Sequence, residues 1–470
     1  MIKYKALILM FVMLMLLPIT QAYTHSNWET FGGNYQHTNI QEGTINNPIH
    51  NNVIWSTNVT GNKDSYGSVI INDGIVYAVG KDYDGAGNTY WGRDNVTALY
   101  LKNGTIKWEY EVGDDVGFDD SATYYNGYLY VPTDGRLNKE DAQIICIYAN
   151  NGTVRWNTSL PWVNEGTGSA IIDEENNLVI LESVGKLWGL YHNNGTIKYN
   201  ISLNGKTESS VSYYDGYVYA AINSANSLTC HYSNNGTLKW TASTGQVWDA
   251  APLIVPEYNA IYIAINDGTD TDDTELSCVN MTTGNIIWNW SQTLEASRVS
   301  TPAYKNGKLY YGSAAYFYCL NASTSSMSND TREIWNISKH DGAEYNSPVV
   351  SGNYVYYQSA DKYIKCINIT NGVEEWQHEL NLLIDTYCGD MAMADGIILF
   401  TYDDGKVYAM GNTTQLDGVE KATQVCVNYT VSPIDVDVIG IGDSVFSLVG
   451  IFMVIGAIFT IIVVVTKYKY

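Results

Sequence analysis

Basic residues are scarce in this chain of 470 residues. Lysine and arginine together number 25, against 49 aspartates and glutamates, so the formal net charge is −24 at pH 7. A surface of this sign repels phosphates, which excludes nucleic acid as an expected partner. Charged residues of both signs make up only 16% of the chain, so long solvated helices are not expected.

Proline is also rare, at 9 residues, and the short motifs of several enzyme classes are missing. The sequence has no Cys-X-X-Cys-His for heme attachment, no Gly-X-Ser-X-Gly around a nucleophilic serine and no His-Glu-X-X-His for zinc. No two cysteines are adjacent. We therefore expect a protein that is not an enzyme.

The chain is instead rich in residues that form strands and tight turns, with 39 tyrosines, 13 tryptophans and 41 glycines. One pattern recurs along it: a small residue on a strand, a turn of Asn and Gly, and an aromatic residue ten positions after the small one. Six pairs keep this spacing: Ala98 with Trp108, Cys146 with Trp156, Gly189 with Tyr199, Cys230 with Trp240, Cys278 with Trp288 and Cys366 with Trp376. A seventh pair, Cys319 with Trp335, has six extra residues in its turn.

Two half-repeats at the ends of this array complete each other. Ala409 begins an eighth unit that no Trp follows, and Trp55 stands in the matching strand pattern with no small-residue strand before it. Each unit has room for two further strands before its small residue. The pattern predicts an all-β, eight-bladed β-propeller with four-stranded blades, whose last blade is closed by an N-terminal strand. An open solenoid of the same period is the alternative, which the split end-repeats disfavour.

Strings such as Leu99 to Trp108 (LYLKNGTIKW) and Cys366 to Trp376 (CINITNGVEEW) resemble the tryptophan-docking motif of the pyrroloquinoline-quinone-like (PQQ-like) propeller repeats. Trp28 to Thr38 (WETFGGNYQHT) resembles the segment before the first blade in many members. The family includes quinoprotein dehydrogenases, outer-membrane assembly scaffolds and cell-surface propellers. A large planar ring on the outer strand can pack between blades. The predicted docking residues are Trp55, Trp108, Trp156, Tyr199, Trp240, Trp288, Trp335 and Trp376.

Both ends of the chain read as membrane-related segments. Residues 1–22 have the basic start, apolar run and small residues of a signal peptide. Residues 444–466 lack any charge and are long enough to cross a bilayer as a helix, and Lys467 and Lys469 after them indicate a cytoplasmic tail at 467–470. Between these lie a lead-in segment at 23–52, the propeller at 53–415 and a juxtamembrane stalk at 416–443. We expect a single-pass cell-membrane protein with its propeller outside the cell.

Five of the seven cysteines stand at the small position of the repeat. Equivalent sites on neighbouring sheets lie about 10 Å apart, which is too far for a disulfide. We expect buried thiols that act as small hydrophobic residues. Cys388 and Cys426 are out of this register, and a bond between them stays open.

Acidic loops offer weak candidate cation sites, with calcium as the cation and no other cofactor expected. One hairpin places five carboxylates together: Asp267, Asp270, Asp272, Asp273 and Glu275. Solvated turn residues are the simpler explanation. Carboxylates also precede the innermost strand of almost every unit, among them Asp119, Glu208 and Asp390, which predicts a ring of negative charge at one mouth of the channel.

Sequons of the form Asn-X-Ser/Thr are frequent. Several come directly after or near a docking aromatic, where strand alternation turns the Asn toward solvent. We predict glycosylation at such positions. They are Asn58, Asn157, Asn200, Asn289 and Asn336.

Taken together, these features predict a membrane-anchored cell-surface propeller that binds or scaffolds another envelope protein or a surface glycan. The alternative is a dehydrogenase of the quinoprotein type that depends on pyrroloquinoline quinone and calcium, which the family resemblance brings with it.

Overall fold

A computed structural model of the chain describes most of the repeat region and two strands near the C-terminus. The chain divides into two compact units, one at 23–420 and one formed by 1–22 and 421–470. The described residues are 25–41, 47–59, 67–80, 93–114, 121–133, 142–160, 167–183, 185–205, 209–247, 250–266, 274–291, 300–313, 316–338, 346–359, 363–380, 389–402, 404–412, 446–455 and 458–467.

The larger unit contains eight blades, each built on four antiparallel strands, which follow the order of the chain in blades 1 to 7. Blade 1 contains β3 (Ile70–Asn72), β4 (Ile75–Gly80), β5 (Arg93–Tyr100) and β6 (Ile106–Asp114). Blade 2 contains β7 (Thr123–Tyr125), β8 (Tyr128–Thr133), β9 (Ala142–Tyr148) and β10 (Val154–Leu160). Blade 3 contains β11 (Ile171–Asp173), β12 (Leu178–Ser183), β13 (Lys186–Tyr191) and β14 (Ile197–Ser202). Blade 4 contains β15 (Ser212–Tyr214), β16 (Tyr217–Ile222), β17 (Ser227–Tyr232) and β18 (Leu238–Ser243).

The second half of the ring repeats this arrangement. Blade 5 contains β19 (Leu253–Val255), β20 (Ala260–Asn266), β21 (Thr274–Asn280) and β22 (Ile286–Ser291). Blade 6 contains β23 (Ala303–Lys305), β24 (Lys308–Gly312), β25 (Tyr316–Asn321) and β26 (Glu333–Ser338), with the short helix α1 (Asn329–Arg332) before its last strand. Blade 7 contains β27 (Val349–Ser351), β28 (Tyr354–Ser359), β29 (Tyr363–Asn368) and β30 (Glu374–Glu379). Two 3₁₀ turns lie at Phe31–Gly33 and Pro256–Tyr258.

Blade 8 joins the two ends of the repeat array, as the half-repeats predict. Its strands are β31 (Ala392–Ala394), β32 (Ile397–Tyr402), β33 (Lys406–Met410) and the N-terminal β2 (Val53–Asn58). Trp55 pairs with Ala409 across β2 and β33. The prediction of an eight-bladed propeller with four-stranded blades, closed by an N-terminal strand, is confirmed.

Side-chain burial follows the position of each strand in its blade. Second strands such as β12 and β28 are buried at every residue, whereas outer strands such as β14 alternate between exposed and half-buried residues. Tight turns join the first two strands, for example at Asp73-Gly74, where both residues have a positive φ. The turn from the first to the second strand and the turn from the third to the fourth therefore lie at the same end of each blade. We call that end the hairpin face.

The C-terminal unit contains two antiparallel strands, β34 (Phe446–Ile455) and β35 (Ile458–Lys467). The transmembrane helix predicted over 444–466 is not confirmed and stays a prediction. These strands are rich in Ile and Val, whose branched side chains favour extended backbone as well as apolar surroundings. In the described part of the chain, no helix has both the length and the apolar character needed to span a bilayer.

Candidate functional site

The predicted docking residues all lie on outer strands, opposite the small residue of the repeat. Seven of the eight donate a side-chain hydrogen bond to the next blade. The acceptor is a backbone carbonyl in the turn between the third and fourth strands of that blade. Those bonds are Trp55 to Leu101 (2.8 Å), Trp108 to Ala149 (3.0 Å), Trp156 to His192 (3.2 Å), Tyr199 to Ser233 (2.7 Å), Trp240 to Met281 (3.2 Å), Trp288 to Ser323 (3.0 Å) and Trp335 to Ile369 (3.4 Å).

A glycine in the turn that accepts this hydrogen bond makes room for the docked ring. A Cβ placed on Gly152 would lie 2.6 Å from Trp108 Cε3, and one on Gly284 would lie 2.6 Å from Trp240 Cε3. Trp376 is the exception among the described residues, because its buried Nε1 has no hydrogen-bond partner. Six of the eight interfaces between blades thus combine a docked ring, a backbone carbonyl that accepts its hydrogen bond and a glycine that leaves room for it.

The five cysteines of the repeat are buried and unpaired. Each stands opposite a docking aromatic on one side and a buried tyrosine on the other, as Cys146 does between Trp156 and Tyr130. Burial raises the pKa of the Cys146, Cys230, Cys278 and Cys319 thiols to about 12. Thiols with this pKa are unreactive at neutral pH and serve as packing groups. Cys388 and Cys426 lie outside the described residues.

Residues 25–41, which we call the channel segment, run around the inner strands of the propeller. Within the described residues, this segment hydrogen-bonds to seven of the eight blades. Six of those contacts use the same position, the backbone N–H or C=O of the second residue of the inner strand. They are Trp28 with Ile71, Glu29 with Tyr124, Tyr35 with Tyr213, Gln36 with Ile254, Thr38 with Tyr304, and Asn39 with Val350.

Both ends of the channel segment are fixed to the ring. At its start, His25 Nδ1 and the backbone N–H of Ser26 bond to the two carboxylate oxygens of Asp395 in blade 8, at 2.6 and 2.9 Å. At its end, β1 (Ile40–Gln41) adds a parallel fifth strand to blade 7. An inner strand exposes an unpaired edge, and the channel segment satisfies those edges with the chain's own backbone.

Large side chains of the channel segment are buried, with Trp28 at 1% exposure and His37 at 0%. His37 Nδ1 lies 3.1 Å from Ser212 Oγ, and that hydroxyl donates to the Pro252 carbonyl. Burial lowers the pKa of His37 to about 3, so its ring is neutral at physiological pH. Phe31 packs edge-on against the same ring. The segment therefore fills the hairpin-face end of the channel with packed side chains.

Hydroxyl side chains stand two positions before the inner strand in six of the eight blades: Ser68, Ser121, Ser169, Ser210, Thr301 and Ser347. Several link neighbouring blades, since Ser169 Oγ accepts from the Ser121 N–H at 3.1 Å and Ser210 Oγ from the Ser169 N–H at 3.0 Å. The described residues contain no group of three His, Cys, Asp or Glu placed to hold a metal ion. The Ser169 and Ser210 hydroxyls are already bonded to backbone, whereas calcium prefers carboxylate ligands. A quinone with its calcium ion in the channel stays an alternative prediction.

Most of the acidic candidates lie outside the described residues. Asp267, Asp270, Asp272 and Asp273 are among these, and only the backbone of Glu275 is described, on β21. Of the predicted ring of carboxylates, Asp390 is described, and it accepts a hydrogen bond from the Ser347 N–H across the blade 7 and blade 8 interface. The calcium site and the acidic ring stay predictions.

The five sequons singled out in the sequence, Asn58, Asn157, Asn200, Asn289 and Asn336, are exposed on outer strands. Three of their side chains bond within the sheet. Asn289 Oδ1 accepts from Ser277 Oγ at 2.6 Å, and the Nδ2 atoms of Asn336 and Asn157 donate to Glu333 at 2.5 Å and to Gln143 at 3.5 Å. Glycosylation at these positions stays a prediction.

A cleft of about 290 Å³ lies on the hairpin face between blades 1 and 2. Its walls include Tyr77, Tyr124 and Tyr128, and Asn126 and Lys107 add polar groups. Aromatic faces beside amide and ammonium groups suit a sugar or a polar peptide segment. Sequence reasoning missed both this cleft and the channel segment. A Tyr directly after the first turn, as at Tyr128, Tyr217 and Tyr354, was the available signal for the cleft.

A closed ring of eight four-stranded sheets, joined by docked aromatics, defines the chain as a β-propeller of the tryptophan-docking class. The family described as outer membrane protein assembly factor BamB matches residues 140–378 and 271–419. Together these matches cover more than half of the chain, and the chain belongs to this family of PQQ-like β-propellers. The family resemblance read from the docking strings is thereby confirmed.

Solved structures share the fold at low sequence identity. BamB from Moraxella catarrhalis aligns with a TM-score of 0.56 and 17% identity over 76% of this chain and 100% of its own. A quinohemoprotein alcohol dehydrogenase from Comamonas testosteroni aligns with a TM-score of 0.61 and 12% identity over 84% of this chain and 82% of its own. A europium-containing methanol dehydrogenase aligns with a TM-score of 0.58 and 13% identity over 80% of this chain and 89% of its own. None of the curated proteins matches the chain.

Proposed function

We propose that this chain is a membrane-anchored propeller on the cell surface that binds or scaffolds other envelope components, and that it is not an enzyme. The observation that carries the proposal is the channel segment. The backbone of residues 25–41 hydrogen-bonds to the inner strands of six blades and to the Asp395 side chain of blade 8. The centre of the disc is thereby fixed, and binding is left to its outer faces and loops.

The matched family adds support for a scaffold role, because its description names an outer membrane protein assembly factor. We propose by analogy that this chain binds another envelope protein or a surface glycan. The cleft between blades 1 and 2 is the described recess where a side chain or a sugar would enter, with Tyr124 in its wall.

Anchoring is supported by the sequence between 444 and 466, which contains no charged residue and is followed by Lys467 and Lys469. The expected experiment is an alkaline wash of membranes from cells that make the full-length chain. We expect the protein to stay in the membrane pellet, and a chain ending at residue 443 to leave the cells in soluble form. Release of the full-length chain by the wash would contradict the anchor.

The binding role is tested by chemical cross-linking on intact cells, followed by purification of the full-length chain. We expect the wild-type chain to give a defined cross-linked partner. The Tyr124→Ala variant should lose much of that product. Tyr258→Ala in blade 5, away from the cleft, is the matched control and should keep it. Both variants must keep the wild-type melting temperature. If neither variant changes the cross-links, the cleft is not the binding surface, and if no partner is captured, the scaffold role fails.

The enzymatic alternative draws on the dehydrogenases that share this fold. Pyrroloquinoline quinone and calcium, added to the purified chain with an alcohol and an electron-accepting dye, distinguish the two functions. We expect no quinone-dependent dye reduction. Sustained turnover would replace the scaffold proposal with a quinoprotein dehydrogenase.

A further inference from the structure

Four consecutive blades share a six-residue turn between their third and fourth strands. In blades 1 to 4 the turn reads Tyr-X-X-Asn-Gly-Thr, so that an N-glycosylation sequon follows a tyrosine at a fixed spacing. The four Tyr and Asn pairs are Tyr100 with Asn103, Tyr148 with Asn151, Tyr191 with Asn194, and Tyr232 with Asn235.

The backbone of these turns is the same in each blade. The Tyr232 N–H donates to the Thr237 carbonyl at 2.9 Å, and the Gly236 N–H donates to the Tyr232 carbonyl at 2.8 Å. Gly236 has a φ of +73°, which places it in the left-handed region. The other three turns repeat both bonds at 2.8 to 2.9 Å. The Asn therefore stands at the tip of a closed loop, with the tyrosine at its base.

The asparagine side chain is held by one of its two polar atoms. Asn235 Oδ1 accepts from the Thr237 N–H at 2.9 Å, and the same contact occurs at Asn103, Asn151 and Asn194 at 3.0 to 3.1 Å. All four side chains are exposed. These bonds use Oδ1 and not Nδ2, the atom that carries an N-linked sugar.

The tyrosines at the base are unusually exposed for rings in a sheet protein, at 44%, 38%, 37% and 39% for Tyr100, Tyr148, Tyr191 and Tyr232. A neighbouring ring supports two of them from one side, with Tyr217 centred 5.4 Å from Tyr232 and Tyr128 centred 5.3 Å from Tyr148. An exposed apolar ring next to an exposed Asn amide is a surface that a sugar can cover.

Blades 5 and 7 show that the tyrosine is not required by the turn or by docking. Their turns keep the same backbone bonds, through Asn280 and Asn368 in place of tyrosine. They also still receive the docked ring, as Trp240 bonds to Met281 and Trp335 to Ile369. Blade 7 even keeps Asn371-Gly372 at the tip, but Val373 replaces the threonine and removes the sequon there. Tyrosine is present where the tip is a sequon and absent where it is not.

We propose that Asn103, Asn151, Asn194 and Asn235 carry N-linked glycans, and that the first sugar of each packs on the tyrosine three residues earlier. In this reaction Nδ2 forms a bond to C1 of the sugar of a lipid-phosphate-linked oligosaccharide. The C1–O bond to the lipid phosphate breaks, the phosphate leaves with the electron pair, and the amide gives up one proton. A host oligosaccharide transferase supplies the catalysis.

These four sites differ from the outer-strand sequons and lie on the hairpin face of blades 1 to 4. The glycan on Asn151 would stand beside the cleft between blades 1 and 2, because Tyr148 belongs to the wall of that cleft. The inference rests on the extracytoplasmic location in the proposed function, but it makes no use of a binding partner.

Glycopeptide mass spectrometry of the full-length protein from its own cells is the first test. We expect glycan on all four asparagines. Bare peptides at these positions would overturn the proposal. They would leave the scaffold role standing, because cross-linking reports on that role independently.

A double-mutant cycle in blade 4 tests the packing of sugar on ring. Tyr232→Ser, Asn235→Gln and the double variant are made in the native cells and also in a host without N-glycosylation, and their unfolding is compared. We expect a coupling between the two substitutions of roughly twofold to twelvefold in the unfolding equilibrium constant, as for packed aromatic pairs, and only in the glycosylated set.

Asn371→Gln in blade 7 is the matched control, since its turn has the same backbone but no sequon at the tip. We expect the same small effect from this variant in both hosts. A coupling of equal size in the two sets of blade 4 variants would show that tyrosine and asparagine interact without a sugar, and it would overturn the packing.

Discussion

Blade 3 makes its docking contact with a different pair of residues from its neighbours. Gly189 replaces the cysteine of the repeat, and Tyr199 replaces the tryptophan. A Cβ on Gly189 would lie 2.3 Å from Tyr199 Cε1, so the ring occupies the volume that a thiol fills in blades 2 and 4. The Tyr199 hydroxyl reaches the Ser233 carbonyl at 2.7 Å and keeps the bond to the next blade. The two substitutions are therefore complementary in size.

We predict that Gly189→Cys lowers the free energy of unfolding by roughly 1–3 kcal/mol, because the new side chain must displace the Tyr199 ring. Denaturant unfolding of the purified propeller measures the loss. The double variant Gly189→Cys with Tyr199→Trp recreates the pair used by blades 2 and 4, and we expect it to regain most of the stability. A single variant as stable as the wild type would contradict the packing described here.

His37 should make the free energy of unfolding decrease as the pH falls. Burial lowers its pKa in the folded protein from 6.5 to about 3, while the unfolded chain still binds a proton near pH 6.5. The stabilising contribution is therefore complete above pH 6.5 and is lost as the pH falls toward 3. Between pH 8 and pH 5 we expect a loss of about 2 kcal/mol from this residue.

His37→Asn isolates that contribution. Asparagine tolerates the φ of +54° at this position and does not titrate. Unfolding measured at pH 8 and pH 5 should show a smaller decrease in the variant than in the wild type, by about the amount given above. Equal decreases in the two proteins would mean that His37 is protonated or exposed in the folded state.

At the scale of strands, the docking repeat made the blades predictable from sequence, because one ring must meet one small residue across each pair of strands. The spacing of ten between Cys146 and Trp156 corresponds to direct cross-strand partners. The channel segment has no such period. It is held by backbone bonds and by positive φ at His37 and Asn39, which leave little trace in residue type. The uncharged stretch at 444–466 has the length of a membrane helix, but its run of Ile and Val at 461–465 also favours a strand.

The docking tryptophans differ in whether the indole Nε1–H donates a hydrogen bond to a backbone carbonyl. Trp55 Nε1 donates to the Leu101 carbonyl at 2.8 Å, whereas the buried Trp376 Nε1 has no partner among the described residues. We predict that Trp55→Phe costs about 1 kcal/mol more in the free energy of unfolding than Trp376→Phe, because the first change removes a hydrogen bond and the second removes an unsatisfied donor. Chemical denaturation of both variants gives the difference. Equal losses would indicate that Trp376 donates to a group in the folded protein.

At the scale of the whole molecule, two parts of the chain close the ring of blades, one on the outside and one on the inside. The outer layer is β2, which the half-repeats around Trp55 and Ala409 made predictable. The inner layer is the channel segment, which connects blade 8 at Asp395 to blade 7 at Val350 by way of the blades between them. The candidate binding surfaces could be predicted only in part, since they depend on which side chains adjacent blades bring together.

The inner layer should hold without its covalent link to the rest of the chain. A protease site inserted between Gln41 and Asn47 allows the channel segment to be cut away from β2 in the folded protein. We expect the cleaved peptide to stay bound through gel filtration, because it keeps its backbone bonds to seven blades and its buried Trp28. With Trp28→Ala, which costs roughly 3–5 kcal/mol at a buried site, the peptide should dissociate after cleavage. Immediate release of the unsubstituted peptide from an intact ring would show that the segment contributes little to closure.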